Sequence, residues 1–144
     1  MKLYSFILIL LASACTSAYS QTDTTIVSLK LKDGLFTGSS QGGYIAEPYW
    51  GIVKLSVKDG LITDVSFMIR DSALHETFND AYAKHFAGNE VYIQQTKNDW
   101  NGVKTYPVKL REKQDISKVD VISGATWSYN IFRASLDSAL SGDH

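Results

Sequence analysis

Cysteine is nearly missing from this chain: Cys15 stands alone among 144 residues. Without a pair there is no disulfide, and with Cys15 at the end of a leader the mature domain has no thiolate metal site and no cysteine nucleophile. A dominant charge is missing as well. Fourteen Lys and Arg offset fifteen Asp and Glu for a net charge of −1, and no long basic run is present, so there is no electrostatic footprint for nucleic acid. No Gly-x-Ser-x-Gly elbow occurs, and the acidic residues are scattered, so neither hydrolase nor paired-carboxylate chemistry has its apparatus. What is present, 44% hydrophobic residues in a chain of this length, specifies one compact domain.

Residues 1–20 carry one lysine, an apolar run from Phe6 to Leu11 and then small residues, the pattern of a secretory signal peptide. The run is far short of the ~20 apolar residues that span a bilayer. Two cleavage positions stay open. "ASAC", ending at Cys15, resembles a bacterial lipobox with Ala12 where leucine is more usual, and "AYS" before Gln21 resembles an ordinary signal-peptidase site. The expectation is an exported protein, periplasmic or held at a membrane as a lipoprotein, with residues 22–26 as a polar tether.

The domain opens with a repeat: "LKLKDGLFTG" at 29–38 returns as "LSVKDGLITD" at 55–64, a spacing of 26. Each copy reads as strand, Asp-Gly turn, strand. In the second copy Val53, Leu55 and Val57 share a face with Leu61, Thr63, Val65, Phe67 and Ile69. That alternation pairs Val57 with Leu61 and predicts a three-residue loop, Lys58 to Gly60, with Gly60 in the left-handed region. The period then changes. Leu74, Phe78, Ala81 and Tyr82 predict a helix from Asp71 to Phe86, capped by Asp71 or Ser72. "FAGNE" ends it, a turn is expected at "KNDWNG", and "YPVKLREKQ" predicts a short helix starting at Pro107. On the first of these helices His75 and His85 would stand some 15 Å apart along the axis, too far to share a metal ion. "GSSQGGY", Gly38–Tyr44, lacks the spacing of a phosphate-binding loop and reads as a strand connection. The fold class is α+β, a small antiparallel sheet packed with helices.

The clearest element is the last. From Trp127 to Leu140, Tyr129, Phe132, Leu136 and Ala139 form an apolar stripe widened by Trp127, Ile131 and Ala134, opposite Asn130, Arg133 and Asp137. Thr126 falls on the polar line, so its hydroxyl points away from the core. Helix N-termini receive anions, phosphate above all. Gly124 and Ala125 leave almost no bulk beside Thr126, and Ser123 is a candidate N-cap.

The whole string "DVISGAT", Asp120–Thr126, resembles the Asp-x-x-Ser/Thr-Gly-Ala-Thr/Ser motif of the FMN-binding domain family, found in the C subunit of the sodium-pumping NADH:quinone oxidoreductase and the G subunit of the Rnf complex. "DGLFTG", the Val53–Val65 hairpin and "SGATWSYNIFRASLDSAL" extend the resemblance to about residues 30–140, within a domain placed at 27–141. The resemblance implies that Thr126 carries FMN through a phosphodiester made by a magnesium-dependent flavin transferase with FAD as donor. It implies that Ser123, Gly124, Ala125 and Asp120 form the attachment motif, and that membrane-bound redox proteins are the partners. It implies an electron carrier or redox subunit rather than a complete enzyme. Trp127, and Tyr49 or Trp50 in "EPYWG", are candidates to stack on the flavin. Two alternatives stay open: an exported module that binds flavin or another ligand non-covalently, and an accessory subunit of a membrane redox complex.

Overall fold

The computed structural model describes residues 31–141. The leader, the polar tether and most of the arm before the first Asp-Gly lie outside them. Four antiparallel strands form one sheet in the order β1 (Gly34–Ser39), β2 (Tyr49–Lys58), β3 (Leu61–Asp71) and β4 (Glu76–Thr77). Two helices follow, α1 (Glu90–Lys113) and α2 (Thr126–Ser141). The chain is α+β, as its periodicities require, with α2 seated on β1 and β2 and α1 on β3. Val53, Leu55, Val57, Ile62 and Ile69 are buried beneath the helices, whereas Leu35, Lys54, Ser66 and Met68 are exposed.

The second hairpin forms, with a different turn from the one expected. Lys58 pairs with Leu61 and Val57 with Ile62, leaving a two-residue loop of Asp59 (φ 55°) and Gly60 (φ 73°). Both left-handed residues make the turn that matches strand twist, and Asp-Gly favours it. Leu61 therefore faces outward and Ile62 inward. A bulge between Ser56 and Val57 restores the expected phase, so that Leu55 meets Val65 and Val53 meets Phe67. Thr63 is exposed, not part of the inner face. The repeat copies touch: the Asp33 carboxylate of the first accepts the Gly60 N–H of the second at 2.9 Å.

Residues 71–86 are not the predicted helix. β3 runs on to Asp71, the chain turns through His75 (φ 56°) into β4, and a 3-10 turn spans Asp80–Phe86 with Asn79 as its cap. Asp71 does act as a cap, but of the turn: its Oδ1 accepts the N–H groups of Ala73 and Leu74 at 2.8 and 3.0 Å. The same local chemistry starts helices and turns, and here the turn prevails. His85 bonds Glu76 at 2.9 Å.

α1 replaces both the expected turn at "KNDWNG" and the short helix at Pro107. It starts at the Asn89 cap and runs 24 residues with Pro107 inside. Thr96, Asp99, Val103, Tyr106 and Leu110 form its buried face at helical spacing. Its end is stitched to the hairpin by Gln114, whose side chain accepts from Ile62 N–H at 2.8 Å and donates to Ile62 C=O at 2.9 Å.

α2 lies so close to β1 that a β-carbon at Gly38 would stand 2.1 Å from Ala139 N and 2.2 Å from Ser135 O, both backbone atoms. Replacing Gly38 with alanine is expected to cost about 3 kcal/mol or more, because neither backbone can retreat. Gly42→Ala, where a β-carbon meets nothing within 4 Å, should stay within about 0.5 kcal/mol of the parent. Urea denaturation of the pair checks this.

Candidate functional site at the start of the last helix

Between Val119 and α2 the chain makes a tight turn in which Ala125 N–H donates to Ile122 C=O at 2.9 Å. Gly124 takes φ +76°, and a β-carbon there would lie 2.5 Å from Asn98 Nδ2. The left-handed backbone favours glycine, and any side chain there would also have to displace the Asn98 amide. Ala125 is fully buried, whereas Asp120, Ser123, Gly124 and Thr126 are exposed. Thr126 opens α2 with its side chain away from the core, as its place on the helical wheel requires.

Ser123 is not the N-cap. α2 starts at Thr126, so Ala125 holds the cap position, and its C=O accepts Tyr129 N–H at 3.1 Å. Alanine has no side-chain acceptor, and α1 supplies one instead. Asp99 Oδ1 accepts the Ser128 N–H at 3.0 Å and the Ser128 hydroxyl at 2.8 Å. Its Oδ2 accepts from Gln95 Nε2 at 2.6 Å, and the same Gln95 nitrogen reaches Gly124 C=O at 2.8 Å.

Tyr106 holds the motif from its other side. Its hydroxyl donates to Ala125 C=O at 2.9 Å and accepts Ile122 N–H at 3.1 Å. Burial pushes the Tyr106 hydroxyl pKa up, with the Asp99 charge adding to the effect, so the group stays protonated and able to donate. The helices meet at Gly102, where a β-carbon would lie 2.5 Å from Ser128 Oγ. Gln95, Asn98, Asp99, Gly102 and Tyr106 are thus the site residues that motif reading misses. Their spacing of three and four is helical, yet most are polar or small, so no apolar stripe marks them.

The arrangement suits an FMN phosphate. Asp99 takes the Ser128 N–H, leaving those of Thr126 and Trp127 without acceptors inside their helix, at the positive end of its dipole and beside an exposed hydroxyl. The small residues Ser123 and Gly124 leave the approach open.

The candidate stacking residues part company. Trp127 meets Tyr49 edge to face at 5.2 Å and 89°, and Phe78 at 5.3 Å and 63°. Both rings are built into the wall of a core cluster that includes Phe78, Tyr82 and Ile131. Trp50 pairs with Arg70, one residue out of phase with Tyr49 and so on the opposite side of β2. A concavity of about 350 Å³ lies at the far end of α2, lined by Gly42, Gly43, Ala134, Asp137, Ser138 and Ser141. It is not at the motif.

Behind Tyr49 runs a buried polar chain. The Tyr49 and Tyr82 hydroxyls are 2.9 Å apart, and Tyr82 donates to Asp71 Oδ2. Burial works against the Asp71 charge, but hydrogen bonds from Tyr82, Leu74 and Ala73 outweigh it and hold the pKa below the usual carboxylate value. Burial first, and then the bond to Asp71, push the Tyr82 pKa up.

Fold and site together define a small α+β domain whose last helix presents an exposed threonine at its N-terminus. A family model described as the FMN-binding domain matches residues 46–141, and the chain belongs to that family. FMN binding and a flavin-based redox role are what this membership supports. The CPE2226 protein from Clostridium perfringens is similar in structure, with a TM-score of 0.51 and 26% sequence identity over 77% of this chain and 87% of that one. A search of curated proteins found no match.

Two predictions rest on these bonds. Asp99→Ala strips the Ser128 N–H of its acceptor inside the fold, leaves the Ser128 hydroxyl only Ala125 C=O and Gln95 only Gly124 C=O, and is expected to cost about 2–3 kcal/mol of stability, read by denaturant titration. Asp71 has a lower pKa folded than unfolded, so its contribution is present above the unfolded value of about 3.9 and is lost as the pH falls through the folded value. The parent protein should therefore lose stability below about pH 4, and Asp71→Asn should flatten that part of the stability profile.

Proposed function

We propose that the protein is an exported electron-transfer flavoprotein with FMN joined covalently to Thr126. The observation that carries this reading is the exposed Thr126 hydroxyl on the first turn of α2, in a chain of the FMN-binding domain family. In the proposed attachment a flavin transferase takes FAD as donor. Thr126 Oγ1 forms a bond to the flavin-side phosphorus, the pyrophosphate bond breaks, AMP leaves, and the hydroxyl proton is released. Ser123, Gly124 and Ala125 keep bulk away from the hydroxyl, and exposed Asp120 offers the transferase a carboxylate to hold. The bound flavin supplies one- and two-electron chemistry, while the chain supplies position and surroundings. Export rests on the leader at 1–20, with Cys15 as the candidate lipid anchor and membrane-bound redox proteins as the electron partners.

Intact mass of the mature protein coexpressed with a flavin transferase, beside Thr126→Ala, tests the attachment. The parent should gain the mass of FMN less one water and keep its yellow colour after denaturation, and the variant should gain nothing. No added mass on the parent despite an active transferase would sink covalent attachment and favour a non-covalent flavin-binding module.

A further inference from the structure

A flavin tethered at Thr126 by its phosphate has an isoalloxazine that stacks favourably on an aromatic surface within reach of its ribityl chain. The rings nearest in sequence are partly taken up: Trp127 and Tyr49, both half-buried, pack edge to face on each other and against the core, and Trp50 lies across the sheet. One aromatic side chain among the described residues is more than half exposed, Tyr92 at 56%.

Its position connects it to the motif. Tyr92 stands in the first turn of α1, and three residues further along Gln95 bonds Gly124 C=O at 2.8 Å. That offset is about 4.5 Å of helix, less than one turn. Tyr92, Thr96 and Asp99 follow at four- and three-residue spacing and share a face of α1, and Asp99 bonds the first turn of α2. The ring is also braced. It lies on Phe86 with centroids 5.5 Å apart and planes inclined by 37°, and Phe86 packs against the same core cluster as Trp127.

We infer that Tyr92, backed by Phe86, is the stacking platform for the isoalloxazine of the flavin on Thr126. The inference rests on the covalent reading given under the proposed function. The platform is open at the surface, so a redox partner reaches the other flavin face without any movement of the chain. With only two side-chain torsions and a ring already braced, tyrosine gives up little freedom on stacking. A stacked phenol also donates an electron to the photoexcited flavin and takes it back on recombination, so a flavin on Tyr92 emits weakly.

The test uses the flavinylated full-length protein as parent, Tyr92→Leu and Tyr92→Trp, with intact mass and flavin emission read on each. Equal FMN mass in all three is expected, with emission severalfold higher in Tyr92→Leu and low again in Tyr92→Trp. Equal emission from parent and Tyr92→Leu, both carrying full FMN mass, would overturn the platform and leave the attachment standing. Absence of FMN mass from the parent despite an active transferase would overturn the attachment, and the platform with it.

Discussion

Asp99 closes a helix to which it does not belong. Nearly all of its surface is buried, and a buried carboxylate is costly unless its oxygens are well supplied with donors. Ser128 N–H, the Ser128 hydroxyl and Gln95 supply them, and the positive end of α2 lies against the charge. The bond does more than finish a helix. A local cap would fix the first turn of α2 only to its own loop, whereas this one fixes it to α1. With Gly102 setting the helix separation and Tyr106 bonded to Ile122 and Ala125, the place of Thr126 is set by the pair of helices.

How much of this was legible in the residues varied with how each segment earns its burial. α2 was expected at Trp127–Leu140 and found at Thr126–Ser141, because its burial is paid for by apolar side chains at regular spacing. The β2–β3 hairpin was legible for the same reason, and its error was confined to the turn and the bulge beside it, where Asp59 joins Gly60 at positive φ and Leu61 and Thr63 leave the inner face. α1 was not legible. Its buried face carries Thr96, Asp99, Gly102 and Pro107, residues that read as polar or as breakers in isolation, and Asp99 and Gly102 make sense only against α2. Asp71 misled in another way, since a carboxylate that accepts from N–H groups two and three residues on can begin either a helix or a turn.

The site divides along the same line. The string Asp120–Thr126 could be read in one dimension, including the exposure of Thr126. The residues that hold it lie 29 positions away for Asp99 against Ser128, and 19 for Tyr106 against Ala125. Ser123, plausible as a cap by type and position, lost that role to a side chain that no local rule would nominate.

The seating of α2 on β1 has a consequence for how the domain is made. Ser39 N–H bonds the Ser138 hydroxyl across 99 residues of chain, and Gly38 meets the backbone of Ser135 and Ala139. Contacts of such separation bring their reward only after the loop between them has closed. On a ribosome delivering residues in order, the first strand of the described domain must wait for α2 before it is covered. The start of α2, with Thr126, is held by Asp99 and Tyr106 of α1, so an enzyme that recognises the ordered turn would be reading the folded domain as well as the sequence.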